Sequence, residues 1–572
     1  MRNFFQVRRP ISNLRLRRMP PSLAALFIAL ACAWPLAYQA AAQVRRGSAQ
    51  SQTTTPPQHD GVAQIVHDAA ALLQAGKIAE AEIAVRSAIA ADPRDSEAHA
   101  LLGVILEQRG RPEDAERELR EALRLNPQSA GALTNLGVFL VRANRTDEAV
   151  KTFEAALKVS PDHAQATYNL AVIYVTRKNY ARAIPLLERM AGMKGGAESA
   201  DMALLLTLTD AYAHAGRAQD TEKLSDLIER RAGDDPRVLF TLGLSLADAG
   251  ADERAARLFE RTNQLRPNTY EVLYNLGIAL FNLDRLDESR KALQVAATLR
   301  PDEPEVFYRL GLVASAKGES ENALGLWQRV VALRPEYASA YFMIAEELVK
   351  NRRSERAVPF YERAIEQDPT QPLYYIRLGV AHLRARRYQQ AHETFALSLA
   401  RFPNNGVLYY FDGYAERAEG QFDAALKSFQ RAIELQPDNA AAYANLGFLT
   451  AERGQHEEAE RLLRRALALD PENYPATYDL GRLLVRLSRY DEALPVLERG
   501  ARLSQKDPGV HYQLFLAYSR LKRKEDADRE LVIFKRLEEE RKNGGPVEES
   551  GGMSNTDGLP SRSADNPTSK KP

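Results

Sequence analysis

The chain has 572 residues, 45% of them hydrophobic and 27% charged, with 77 basic and 76 acidic side chains and a net charge of +1. Such a balance excludes a nucleic-acid coat, which needs a net-basic face or stripe. The length alone suggests several globular domains, an expectation that the internal periodicity described below overrides.

Residues 1–42 contain six arginines (Arg2, Arg8, Arg9, Arg15, Arg17 and Arg18) and no acid. The remainder holds 71 basic and 76 acidic side chains, a net charge of −5. A basic stretch, the apolar run Leu23–Trp34 and then Ala40-Ala41-Ala42 before Gln43 read as an export signal of bacterial type. Cleavage after Ala42 would release a soluble, periplasmic protein. The alternatives are an uncleaved anchor over Leu23–Ala42, interrupted by Pro35, and lipid attachment at Cys32. Membrane contact is expected only through this segment. Cys32 is the one cysteine, so cleavage would leave a cysteine-free chain, which suits an oxidising compartment. Residues 43–61 read as a polar linker.

From residue 62 the chain is an array. Pro93, Pro127 and Pro161 stand 34 residues apart, and Pro267, Pro301, Pro335, Pro369, Pro403, Pro437 and Pro471 continue at the same step. With the ladder proline as position 32, repeats 1–4 begin at 62, 96, 130 and 164 and occupy 62–197. Repeats 5–14 begin at 202, 236, 270, 304, 338, 372, 406, 440, 474 and 508 and occupy 202–541, ending in a charged capping helix. The four residues 198–201 absorb the slip between the ladders and are a candidate hinge. Residues 542–572, rich in Gly, Ser, Asn and Pro, read as a disordered tail.

Position 20 is Ala in twelve of the fourteen units, Thr221 and Ser289 being the exceptions. Position 8 is Gly or Ala in twelve, and position 24 is often large: Phe153, Phe259, Trp327, Tyr361, Phe395, Phe429. Positions 4, 8 and 11 share one face of a helix, and 20, 24 and 27 share one face of a second. Small residues at 8 and 20 let two antiparallel helices approach, and the large residue at 24 fills the space beside them. Proline at 32 ends the second helix. One such hairpin cannot bury its apolar face alone, whereas stacked neighbours can, so the spacing predicts an all-α solenoid.

The pattern resembles the tetratricopeptide repeat family. Leu273, Leu276, Gly277 and Leu280 stand at its W-x2-L-G-x2-Y positions, and Phe259 and Pro267 match its later signature. The resemblance implies a right-handed superhelical solenoid of about fourteen 34-residue helix–turn–helix repeats. It also implies a concave groove lined by first helices, which binds a protein or an extended peptide segment.

Position 5 supplies aromatic candidates for that groove, among them Tyr274, Tyr308, Phe342, Tyr410 and Tyr478; they either anchor a ligand or pack within the array. Position 6 supplies Asn135, Asn169, Asn275 and Asn445, whose amides offer a donor and an acceptor to a peptide backbone. This is similar to the asparagine ladder in the repeats of O-linked N-acetylglucosamine transferases, here without a catalytic domain. Arg309 and Arg377, also at position 6, suit acidic ligand groups. A chaperone-type carboxylate clamp is not matched, since Glu305 and Phe240 occupy its lysine slots.

No two of the nine histidines stand at metal-ligand spacing; His392-Glu393 begins like a zinc motif, but residue 396 is Ala. No nucleophile elbow, phosphate-binding loop or dinucleotide fingerprint occurs. The sequence therefore predicts no catalytic residues, no cofactor and no metal. It predicts an exported scaffold that binds a polypeptide and helps assemble a cell-envelope complex. The alternatives are a polysaccharide-export or outer-membrane assembly factor, and a non-catalytic subunit of a glycosyltransferase.

Overall fold

Each 34-residue unit folds as two α-helices whose ends are set by local chemistry. The computed structural model describes residues 58–193 and 196–542. The expected export signal, Cys32, most of the linker and nearly all of the tail lie outside the described residues. Among those described there are 28 α-helices, from Gln58–Gln74 to Lys524–Lys542, and no strand. A typical unit pairs a first helix such as Ala130–Arg142 with a second such as Thr146–Val159.

Most first helices start on a polar N-cap at position 34 of the preceding unit. Ser129 and Asn439 each accept a backbone N–H three residues on, from Ala132 and Ala442, satisfying donors that the helix leaves unpaired. Where a ladder proline follows, one residue separates it from the end of the second helix. That residue is forced into an extended conformation, as at Arg334 (φ −140°, ψ 91°) before Pro335.

The turn between the two helices repeats a feature that the sequence reading missed. Position 15 has positive φ in all fourteen units. Seven of these residues are glycines, and the others are Asn144, Lys178, Asp284, Arg352, Arg386, Ser488 and Lys522. In repeat 3 the N–H of Arg145 reaches the carbonyl of Leu140 at 2.8 Å, and Asn144 that of Val141 at 3.0 Å. This is a Schellman closure, which needs a left-handed residue at that point.

Packing follows the small–large–small expectation. The alanines at position 20 are buried throughout, and Phe153, Phe259, Trp327, Tyr361, Phe395 and Phe429 have almost no exposed surface. Each such ring removed from water contributes on the order of 2–3 kcal/mol. The position-20 exceptions are accommodated by hydrogen bonds: Ser289 Oγ donates to the Gly277 carbonyl at 2.6 Å and Thr221 Oγ1 to that of Arg217 at 2.9 Å.

The chain divides into two compact units, one ending at Pro301 and one beginning at Asp302. Within each, second helices pack on the next first helix, and several first helices also touch their successors, as Ser96–Gln108 does Ala130–Arg142. A tyrosine at position 11 latches some joints to a glutamate at position 25 of the preceding repeat. The Tyr174, Tyr212 and Tyr518 hydroxyls donate to Glu154, Glu188 and Glu498 at 2.8, 2.9 and 2.7 Å.

Repeat 5, the weakest match to the pattern, still forms Met202–His214 and Ala218–Ala232. The insertion before it is tied down: Ala200 is buried and its carbonyl accepts from Arg231 Nη1 at 2.7 Å. The helix of repeat 1 begins at Gln58, inside the stretch read as linker, and the C-terminal cap is the single helix Lys524–Lys542.

Candidate ligand-binding face

The first helices present positions 5 and 6 side by side, and the structure sorts their side chains into two groups. Tyr308, Phe342 and Tyr410 are buried. Tyr308 stacks on Tyr337 at 5.4 Å between ring centres, Phe342 lies between Tyr361 and Tyr374, and Tyr410 packs on Phe411 and Phe429. These three aromatics are structural packing. Tyr274 and Tyr478 are half-buried, each beside the tyrosine one turn earlier: Tyr270 at 5.7 Å and Tyr474 at 6.2 Å. Their remaining surface faces outward.

All four asparagines are half-buried. Asn275 and Asn445 donate their amide nitrogens back to the carbonyls of Glu271 and Ala441, at 2.7 and 2.9 Å. That bond spends one donor and orients the amide oxygen. Asn135 and Asn169 occupy the same slot in successive repeats. Arg309 is half-buried, and Arg377 pairs with Glu346 of the preceding repeat at 3.4 Å.

One member of this row was missed by the sequence reading. Asp479 holds position 6 of repeat 13 and is mostly covered, its carboxylate 3.4 Å from Arg482, which also pairs with Glu452 at 3.0 Å. Burial pushes its carboxyl up to about 6; Arg482 and Arg417 oppose the shift and Glu452 adds to it. The slot the sequence marked with asparagine is thus polar in most repeats, Leu101, Met343 and Phe411 being the exceptions, and an acid there was readable from the register alone.

Among the described residues no helix is long and apolar enough to cross a membrane. In the unit ending at Pro301 these positions offer amides and ring edges to an extended ligand, and in the unit beginning at Asp302 an amide, two arginines, an acid and a ring edge; among the described residues neither set brings together a nucleophile–base pair.

Models of the tetratricopeptide repeat match residues 69–130, 134–198, 240–304, 308–372, 342–406 and 450–514, and a TPR repeat model matches 413–452. None of the curated proteins searched matches the chain. Among solved structures, yeast Tom70 is similar at 17% identity over 84% of this chain and 100% of that one, with a TM-score of 0.34. The C-terminal part of a TPR repeat-containing protein from Cytophaga hutchinsonii is similar at 19% identity, over 42% and 99%, with a TM-score of 0.38. The anaphase-promoting-complex hetero-tetramer Cut9–Hcn1 gives 13% identity, over 80% and 96%, and a TM-score of 0.34.

Proposed function

Because the chain belongs to the tetratricopeptide repeat family, whose members are scaffolds for protein partners, we propose that it is an exported, non-catalytic scaffold holding an extended polypeptide along its first helices. Its role is in assembling a cell-envelope complex, and it reaches the periplasm through the N-terminal signal. The observation that carries this reading is the half-buried polar and aromatic side chains at positions 5 and 6 within each compact unit: Asn135, Asn169, Tyr274 and Asn275 in the one ending at Pro301, and Asn445 and Tyr478 in the other. Amides oriented from their own helix suit main-chain donors and acceptors, and the half-exposed rings supply area at low entropic cost.

A cross-linked pull-down from envelope extract compares wild type with Tyr274→Ala/Asn275→Ala and Tyr478→Ala. Loss of a specific partner in the variants, with helicity unchanged, supports the face. An identical partner set from all three chains removes it.

A further inference from the structure

Position 7 of the repeat is a core position. In repeats 2 to 10 and 12 to 14 it is Leu or Ile and buried, for example Leu378, Leu446 and Leu480. In repeat 11 it is Asp412. Position 11 of the same helix, Gly406–Ala418, is buried in repeats 2 to 14 and most often Leu or Tyr; here it is Glu416. Both carboxylates are more than nine-tenths buried, with relative exposures of 5% and 6%. One repeat has therefore replaced two core side chains with acids, a costly exchange unless something compensates the charge.

The compensating group comes from the preceding repeat. His392, on Tyr388–Arg401, sets Nδ1 2.6 Å from Asp412 Oδ1. One ligand atom from each of His392, Asp412 and Glu416 lies within 4.8 Å of the others. Glu416 Oε2 is buried with no hydrogen-bond partner, and Ser428 serves the same carboxylate. His392 keeps about a third of its side chain exposed, which gives a route in from solvent.

We propose that His392, Asp412 and Glu416 form a binding site for a divalent transition-metal ion of the Zn2+ type, stapling repeat 10 to repeat 11. One imidazole and two carboxylates suit such an ion. In a tetrahedral shell two donors on one ion stand about 3.4 Å apart at bond lengths of about 2.1 Å, so side-chain adjustments of about 1.4 Å, shared between the ligands, close the cluster. The ion takes the orphaned Glu416 oxygen, and water completes the shell. The proton held between His392 and Asp412 leaves to solvent as the ion enters. Sequence spacing hid the site, because its ligands lie on two helices 20 residues apart.

The experiment titrates Zn2+ into the chelator-treated full chain by calorimetry in two buffers of different ionisation enthalpy. The expected result is one ion per chain, a buffer-dependent enthalpy that reports proton release, and a higher melting temperature with the ion. Asp412→Leu and Glu416→Leu restore residues that other repeats carry at these positions, so both should fold as well as wild type. Each should lower the affinity at least 100-fold, as should His392→Ala. Absence of Zn2+ binding by wild type would overturn the proposal and leave a proton-bridged polar cluster. Unchanged affinity and stoichiometry in the leucine variants would overturn it too, by placing the ion elsewhere.

Discussion

A Cβ built on Gly137 would stand 2.5 Å from Cε1 of Phe153, closer than real atoms approach. The glycine at position 8 and the ring at position 24 are thus one packing unit. Gly137→Ala should destabilise repeat 3 by about 1–3 kcal/mol through overpacking. Adding Phe153→Leu recreates the Ala171–Leu187 pair of repeat 4 and should recover much of the loss. Hydrogen exchange of the amides in 130–159 reads both effects locally.

Position 15 makes a second prediction. Arg352 and Lys178 hold φ of 59° and 58° without being glycine. Arg352→Gly and Lys178→Gly should each stabilise by about 0.5–1 kcal/mol, while Gly318→Ala should cost a similar amount. Urea denaturation of the three variants checks the signs.

Asp479 gives a pH-dependent prediction. Its folded carboxyl titrates near 6, above the unfolded value of about 4, chiefly because it is buried. The folded chain therefore binds the proton more tightly than the unfolded chain does. The contribution is full below pH 4 and is lost as pH rises through 6. Between those limits the stability difference between Asp479→Asn and wild type should grow in favour of the variant, by on the order of 2 kcal/mol. Parallel denaturation curves at pH 4, 5, 6 and 7 measure it.

The sorted aromatics separate packing from binding. Tyr410→Ala should cost about 3–5 kcal/mol by emptying a buried site. Tyr274→Ala should change stability by less than about 1 kcal/mol yet weaken partner capture. Thermal melts beside the pull-down distinguish the two.

Limited proteolysis should cut first within 192–201, the region of the four-residue insertion. Arg231→Ala removes the bond that holds the Ala200 carbonyl and should speed that cut several-fold. Mass spectrometry of the first fragments locates it, and first cleavage inside another repeat would contradict the expectation.

Much of this structure was legible in the sequence because a repeat states each requirement fourteen times. The proline at 32, the alanine at 20 and the pairing of 8 with 24 all carry side-chain signatures. The left-handed residue at 15 carried none, since half its occupants are not glycine and the backbone closure imposes the conformation. Burial of Tyr308, Phe342 and Tyr410 depends on neighbours outside their own helices, such as Tyr337 in the turn before Ala338–Lys350 and Tyr374 in the next repeat. Asp412 was visible as a departure from leucine, but its meaning needed His392 beside it.

The tyrosine latches imply that the array has interchangeable couplings. Excising residues 164–197, a whole repeat, would bring Tyr212 to the place where Tyr174 now meets Glu154, and the same bond would close. A shortened molecule would inherit a ready-made joint. The reach of the scaffold can thus change by single units of 34 residues while the couplings at its cut ends remain matched.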